Sequence, residues 1–591
     1  MKKNTNSKIK ILPAALTNKI AAGEVVDRPA SVVKELLENS IDAGADEITI
    51  IIKQGGKALI QVLDNGSGMN ESDLLMAFQR HATSKIFKYE DLTRVRTLGF
   101  RGEALASIGS VSRVEAKSVL QNQNSGHLVR FEGGVIHGVE GVAGNHGSSI
   151  AVKNLFYNTP ARRKFLRADA TEYRQILGVA NRFFLAHSEI AFTFVKADEI
   201  IYELKKETQE ERIAAVLGPR VHKNLIAIEN EAPVKIKGYI VNQDAFRRSR
   251  GDQYLFFNRR YFSHKSLNYA VVSGYGDALP RGLFPVYLVF IEMDPELADV
   301  NVHPAKLEIK FSNEPLVFSS VRGSVKRALT SQEAVPEIRR WGTPEAARQA
   351  EWLGQTKNEA PVPENSLQLP QLFASKPENA NQLAKGETLI DSPQDVTREK
   401  IIFERTNVWQ VHNKYIISQI KNGLIVIDQH VAHERILYEQ ALDNFEKRNP
   451  SSQQLLFPQV VEFSAEDYSI LLEMIPFLEK IGFVVKSFGQ NTVVLEGVPS
   501  GIKISDDEKV LLDILDEYKR GKKDNAEIRE NVAKSYACHT AIRAGEHLPL
   551  EAMNALIDKL FTTKEPYFCP HGRPVIIHIS LAELDRRFKR H

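Results

Sequence analysis

Lys34-Glu35-Leu36-Leu37-Glu38-Asn39-Ser40-Ile41-Asp42-Ala43-Gly44-Ala45 is the stretch on which the reading of this chain turns. Placed on a helix over 32–42 at about 100° per residue, Val32, Val33, Leu36, Leu37 and Ile41 share one half and form a core face. Glu35, Asn39 and Asp42 fall within an arc of about 60° beside that face, and Lys34 and Glu38 point towards solvent. Pro29 suits the first turn. One carboxylate and one amide are thus aimed the same way from the edge of a buried surface. A carboxylate so placed can take a proton from an attacking water. An amide oxygen one turn on can ligate Mg2+, which prefers oxygen ligands and keeps some waters. Read alone, the pattern is also an ordinary solvated helix face.

Two further signatures follow. Ala58-Leu59-Ile60-Gln61-Val62-Leu63 reads as a strand running into Asp64-Asn65-Gly66-Ser67-Gly68. Asp64 can accept a hydrogen bond from an exocyclic amine, and the glycines allow close backbone approach to a flat ligand. The plainer reading of such a segment is a turn. Gly99-Phe100-Arg101-Gly102 then opens the helix-forming run Glu103-Ala104-Leu105-Ala106. Free N–H groups at a glycine-rich helix start favour anions. The polar stretch between, with Arg80-His81-Ala82-Thr83-Ser84-Lys85, has the length of a lid over nucleotide.

Over 591 residues, one core is excluded and roughly three to five domains are expected. A net charge of +3 places any nucleic-acid contact in local patches. The N-terminus lacks the apolar core of a signal peptide, and no run of about 18 apolar residues predicts a membrane span. Two cysteines, Cys538 and Cys569, exclude a disulfide framework and fit a reducing cytoplasm.

Alternating strand and helix patterns fill 1–330. The segment 331–400, rich in Glu, Pro, Gln, Asn and Ala, reads as a flexible linker. Apolar periodicity resumes from 401. There, Leu424-Ile425-Val426-Ile427 is a buried-strand candidate ending at Asp428, and a helix starting next sets His430 and Glu434 on one face. Cys569-Pro570-His571 offers a thiolate and an imidazole two residues apart, on one side of an extended segment. Asp428, His430, Glu434, Cys569 and His571 form a candidate set for Zn2+, with carboxylates able to hold a harder ion such as Mn2+. Two metals suit in-line attack on a phosphodiester. A structural zinc and plain core packing remain open readings of the same residues.

In order and spacing, the three N-terminal signatures resemble the GHKL ATPases. The strings at 20–26, 80–85, 99–105 and 154–166, with Val300-Asn301-Val302-His303-Pro304-Ala305-Lys306, resemble MutL-type DNA mismatch repair proteins specifically. The resemblance implies an α+β multidomain chain. A GHKL (Bergerat) ATPase α/β sandwich would span 1–210 and a ribosomal-S5-like transducer domain 211–330. After the linker, a C-terminal dimerisation and endonuclease domain would span 401–591, its regulatory subdomain at about 450–535. Glu35 would be the general base and Asn39 the Mg2+ ligand. Asp64 would bind adenine with Gly68 beside it. Gly99 and Gly102 would line the phosphates, Gly147 would complete the pocket, and Lys306 would reach the γ-phosphate of ATP.

The C-terminal pattern resembles the DQHA-x2-E-x4-E endonuclease motif of nicking members, which makes Asp428, His430 and Glu434 catalytic as well as metal-binding. Val431 stands where the family usually has Ala, and His539 where it usually has Lys or Arg. Gln453-Gln454-Leu455-Leu456-Phe457-Pro458 resembles the short peptide that docks in a sliding clamp; 368–373 is similar, and a simple strand is the bland alternative. Clusters at Arg162, Arg163, Lys164 and Arg167, at Arg247, Arg248 and Arg250, and at Arg259, Arg260 and Lys265 can bind DNA phosphates or stand as ordinary solvated charge. The implied partners are DNA, a second copy, a MutS-type mismatch recognition protein and a sliding clamp, in the bacterial cytoplasm and away from membranes. The rival is a scaffold that binds ATP and DNA without cutting, its C-terminal metal structural.

Overall fold

The computed structural model describes residues 26–86, 88, 97–99, 102–280, 282–299, 309–333, 408–447, 452–489, 491–499, 507–520, 525–543 and 545–590. Lys306, the second clamp-like peptide at 368–373 and the linker reading of 334–400 lie outside them.

Eight strands make the first sheet: β1 (Glu47–Lys53), β2 (Leu59–Asp64), β3 (Arg113–Val119), β4 (Ser125–Glu132), β5 (Val135–Ala143), β6 (Gly147–Lys153), β7 (Ala191–Lys196) and β8 (Glu199–Leu204), in the order β5-β4-β3-β6-β2-β1-β7-β8. Only β1 and β7 pair in parallel among these. Alternation in Glu-Ile-Thr-Ile-Ile-Ile-Lys buries Ile48, Ile50 and Ile52 on the face that helices cover. Helix α1 (Pro29–Asp42) lies there with Val32, Val33, Leu36 and Leu37 inward, beside α2 (Asp169–Ala186). An ion pair from Arg28 to Glu172 (2.9 Å) ties the two helices.

One helix-face expectation is corrected. Glu38 does not point to solvent; it is buried, 2.9 Å from Lys34. The second domain supplies the cover, for Arg260 and Tyr261 line the same small cavity as Lys34 and Glu38. A one-helix pattern cannot foresee packing by a segment more than 200 residues later.

The second sheet runs β12-β11-β13-β10-β9, from β9 (Leu225–Asn230), β10 (Lys235–Val241), β11 (Gln253–Phe257), β12 (Arg260–Phe262) and β13 (Tyr287–Glu292). Helix α3 (Glu314–Glu333) packs on β9 and on the helix Lys265–Tyr275. A short pair, β14 (Ala298–Asp299) and β15 (Lys310–Phe311), flanks it.

Further on, β16 (Val408–Val411), β17 (Tyr415–Ile420), β18 (Gly423–Asp428) and β22 (Ile576–Ser580) form an antiparallel sheet in the order β16-β17-β18-β22. Helix α4 (Gln429–Lys447) follows β18 directly and packs on α7 (Asn525–Thr540) and the helix Leu550–Thr562. A second unit joins β19 (Ser452–Glu462), β20 (Val484–Ser487) and β21 (Thr492–Pro499) to α5 (Ala465–Ile481) and α6 (Asp507–Arg520). Its core is separate, with Leu471, Met474, Leu478, Val493 and Leu495 fully buried.

This second unit rests on the N-terminal lobe. Arg247 stands 3.5 Å from Asp252, 3.6 Å from Asp467 and 3.7 Å from Asp516, all buried or nearly so. Lys519 pairs with Asp467 within the unit, and Arg174 of the N-terminal lobe reaches Glu473 at 3.5 Å. No described helix is long and apolar enough to cross a membrane.

Candidate nucleotide and metal sites

The nucleotide-site residues gather where α1 meets β2 and β6. Asp64 ends β2, so its side chain leaves the sheet toward α1. Its Oδ2 accepts from the Ser40 hydroxyl (2.8 Å); its Oδ1 accepts the amides of Gly66 (3.0 Å) and Ser148 (3.2 Å). Burial raises the Asp64 carboxyl above its ordinary value, and these three donors pull the other way. A carboxylate held so firmly can accept from an exocyclic amine without reorganising. Gly147 adjoins it with φ +111, and a Cβ there would fall 1.9 Å from the Asp64 carbonyl oxygen. Gly68 has φ +68 and no room for a side chain against Val119 O (2.1 Å). Glycine is required at both.

Glu35 and Asn39 project from one edge of α1, and Glu35 Oε1 accepts from Lys34 Nζ at 2.9 Å. The Lys85 ammonium donates to Asn39 Oδ1 (3.0 Å) and Asp42 Oδ2 (2.6 Å). A cation already rests on the oxygens that a divalent ion would use, so the donor set fits Mg2+. Asp42 also holds the amides of Leu98 (2.8 Å) and Gly99 (2.9 Å). Gly102, with φ +61, sits where a Cβ would meet Ala82 O at 2.4 Å. Sequence reasoning placed Asp42 in the arc of Glu35 and Asn39 and Lys85 in a lid stretch but gave neither a role of its own, and it passed over Ser40 and Ser148. Asp42 carried a signal in its spacing and Lys85 in the lid stretch; Ser40 and Ser148 carried none.

In the C-terminal lobe the structure brings three of five expected ligands together. Ligand atoms of Glu434, Cys569 and His571 all lie within 4.8 Å of one another. His571 Nδ1 is 2.6 Å from Glu434 Oε1, and Glu434 and Cys569 are buried. A tight turn makes this possible: Cys569 exchanges backbone bonds with Gly572 and Arg573, and the His571 amide donates to Cys569 Sγ at 3.4 Å. Glu439 fixes the approach by accepting the amide of Lys564 at 2.7 Å. A thiolate, an imidazole and a carboxylate fit Zn2+.

Asp428 and His430 do not join that trio among the described residues. Asp428 Oδ1 caps α4, taking the amides of His430 (3.0 Å) and Val431 (3.1 Å). His430 Nδ1 faces Ile542 O at 2.9 Å, and the Ile542 amide meets His433 Nδ1 at 3.0 Å. Burial pushes His433 down to about 4. It also pushes the half-buried Cys538 thiol up to about 11. Val431 is buried in the α4 core, and His539 lies 3.5 Å from Asp513.

Among the basic residues, Arg163, Lys164 and Lys265 are exposed and Arg162 is half-buried. Arg260 is a correction: its guanidinium turns inward onto the carbonyls of Thr97 and Leu98 and is not a solvated surface charge. Arg247 and Arg248 are likewise engaged within the chain, with Asp467, Asp516 and Asp513. In the clamp-like peptide, Gln453 and Gln454 are exposed; Leu456 and Phe457 are 90% and 81% exposed. Leu455 is corrected too: at 8% exposure it belongs to the core of its unit.

Three family models match: "Histidine kinase-, DNA gyrase B-, and HSP90-like ATPase" over 27–134, "DNA mismatch repair protein, C-terminal domain" over 213–330, and "MutL C terminal dimerisation domain" over 408–548. A DNA mismatch repair protein MutL of Pelodictyon phaeoclathratiforme is 42% identical over 99% of this chain and 100% of its own length. That of Chlorobium phaeobacteroides is 40% identical over 98% of this chain and 99% of its own. Among solved structures, an Aquifex aeolicus MutL ATPase domain complexed with ADP is 28% identical over 46% of this chain and 94% of its own, with a TM-score of 0.34. Full-length likeness at this identity, with an ATPase model in front and a dimerisation model behind, places the chain in the MutL family of DNA mismatch repair proteins.

Proposed function

We propose that this mismatch repair ATPase is also a DNA nickase, in which slow ATP turnover times the opening and closing of a DNA-encircling dimer and a C-terminal metal site cuts. The observation that carries the proposal is the convergence of Glu434 on Cys569 and His571, residues far apart in the chain.

At the N-terminal site, Asp64 would read the adenine amine, and Gly68 and Gly147 would admit the base. Gly99 and Gly102 would approach the phosphates, with Lys306 contributing at the γ-phosphate. Mg2+ would be held through Asn39 and would neutralise phosphate charge. Glu35 takes the proton from the attacking water. Turnover at one such site per copy suits a timer better than an output.

At the C-terminal site, Glu434, Cys569 and His571 would hold Zn2+. Asp428 and His430, at the start of the same helix, would complete a site for Zn2+ or Mn2+ and orient the phosphodiester. Exposed Arg163, Lys164 and Lys265, with Arg162, would track DNA without reading sequence. Trp409, Tyr415 and Ile577, on strands of one sheet, are 53%, 43% and 55% exposed, an apolar face suited to a second copy. Leu456 and Phe457 would dock in a sliding clamp, and a MutS-type protein would deliver the mismatch signal in the bacterial cytoplasm.

One observation favours the non-cutting scaffold: Asp428 is engaged as a helix cap and stands outside the trio of Glu434, Cys569 and His571, so the second, harder-ion site that cutting needs is not assembled among the described residues. Nicking of supercoiled plasmid with Mn2+ separates the readings. Asp428→Asn should abolish cutting and leave ATP hydrolysis intact; a wild type that never nicks, with or without clamp, makes the scaffold correct.

A further inference from the structure

Arg260 opens β12 in the second sheet, yet its guanidinium reaches the nucleotide-site side of the first. Nη2 donates to the carbonyl oxygens of Thr97 (2.8 Å) and Leu98 (2.9 Å). The same short segment is held from the opposite side by Asp42, whose two oxygens take the amides of Leu98 and Gly99 at 2.8 and 2.9 Å. Thr97 Oγ1 closes the segment on itself with a bond to Gly99 O at 2.8 Å. Residues 97–99 are thus gripped by carbonyls on one side and by amides on the other.

The grip ends at the proposed metal ligand. Asp42 shares Lys85 with Asn39, and a Cβ on Gly99 would lie 3.1 Å from Lys85 Nζ and 3.7 Å from Asn39 Oδ1. Arg260 lines a cavity of about 40 Å³ with Lys34, Glu38 and Leu98, and its Nη1 is buried with no hydrogen-bond partner among the described residues. Burial opposes its charge, and Glu38, Asp42 and Glu35 favour it. A planar guanidinium can donate two hydrogens from one nitrogen to adjacent carbonyls and stay charged; an ammonium, a point charge on a flexible stem without the planar fork, matches this poorly.

We propose that Arg260 is a positioning residue for the nucleotide site: from the second domain it fixes residues 97–99 against Asp42 and so sets where Gly99 stands relative to Asn39. The proposal rests on the ATPase reading. It makes the second sheet part of the site through described residues, independently of Lys306. Any movement of β12 is transmitted to Gly99 through two hydrogen bonds.

The test uses the full chain, with Arg260→Ala and Arg260→Lys beside wild type. Amide exchange without nucleotide reads the grip. The Leu98 and Gly99 amides should exchange about tenfold faster in Arg260→Ala, since hydrogen bonds to a charged group are being lost. With MgATP, KM should rise about tenfold while kcat stays within about threefold, because Glu35 is untouched. Arg260→Lys should recover part of both effects, and it is read in the same way should the alanine variant fail to fold. Unchanged exchange and KM overturn the proposal, as does a loss confined to DNA affinity. A wild type that turns over no ATP overturns the ATPase reading and with it this role; turnover with identical KM in both proteins overturns Arg260 alone.

Discussion

Single residues carry the account furthest where several fixed donors meet one carboxylate. Asp64 is satisfied from a helix, a turn and a neighbouring strand before any ligand arrives. Asp64→Asn should therefore weaken nucleotide binding by about tenfold or more, since an amide offers one acceptor where two oxygens are used; equal affinity by equilibrium dialysis would remove its assignment. Glu35→Ala should still bind ATP and lose turnover by about 10²–10⁴-fold, the usual contribution of a positioned base. Hydrolysis at the wild-type rate would refute the base. Glu35, Asn39 and Asp64 were legible in the sequence because helical spacing and a strand end aim them without help from elsewhere. Asp42 was half legible: its spacing put it in the right arc, but its partners, Lys85 and the amides of 98 and 99, come from a loop that no period describes. Arg260 was misread for the same reason, because basic clustering says nothing about which face of a hairpin is covered.

Elements explain how neighbouring residues acquire opposite fates. Strand β19 pairs with β21 at Gln454 and again at Gln459, with a register shift between. The unpaired residues leave the ladder, so Leu455 enters the core while Leu456 and Phe457 stand in solvent. Period-two alternation across 453–457 would not produce this pattern, and the bulge is invisible without its partner strand. Two predictions separate the roles. Leu455→Ala should cost about 2–4 kcal/mol of stability by leaving a cavity, read as a lower denaturation midpoint. Phe457→Ala should leave that midpoint within about 0.5 kcal/mol and weaken sliding-clamp binding by surface plasmon resonance; unchanged clamp affinity would return the peptide to an ordinary strand. The β18 to α4 junction behaves differently. The run Leu424-Ile425-Val426-Ile427 and the helix starting after Asp428 were both readable, since strand and helix follow in immediate succession, whereas the capping role of Asp428 was not read.

At the scale of the molecule, two lobes that the sequence separated by a linker meet through buried charge. Burial alone would raise the Asp467 carboxyl, but Lys519 and Arg247 outweigh it and hold it below its ordinary value. The stability from its pairs, with Lys519 inside the unit and with Arg247 across the contact, is therefore complete above the ordinary carboxylate value and is lost as pH falls through the lowered one. Arg247→Ala removes the cation that the second domain lends to Asp467 and Asp516 and leaves Lys519 as their remaining partner, a change of up to about 3 kcal/mol against the contact. The radius of gyration in X-ray scattering should rise, and an unchanged radius would show that the lobes are held otherwise. This contact was not legible: the cluster at Arg247 and Arg248 left DNA phosphates and ordinary solvated charge both open, and Asp467, Asp513 and Asp516, which engage it from the other lobe, lie more than 200 residues away. The C-terminal trio was among the residues the sequence set together, but which of the five meet was not legible: Glu434, Cys569 and His571 converge while Asp428 and His430 stand apart. The most direct test of the whole account is Mn2+-dependent nicking of supercoiled plasmid by wild type, Glu434→Gln and Glu35→Ala. Wild type and Glu35→Ala should open the plasmid while Glu434→Gln leaves it supercoiled with ATPase intact; equal cutting by Glu434→Gln, or none by wild type, would contradict a cutting site timed by ATP.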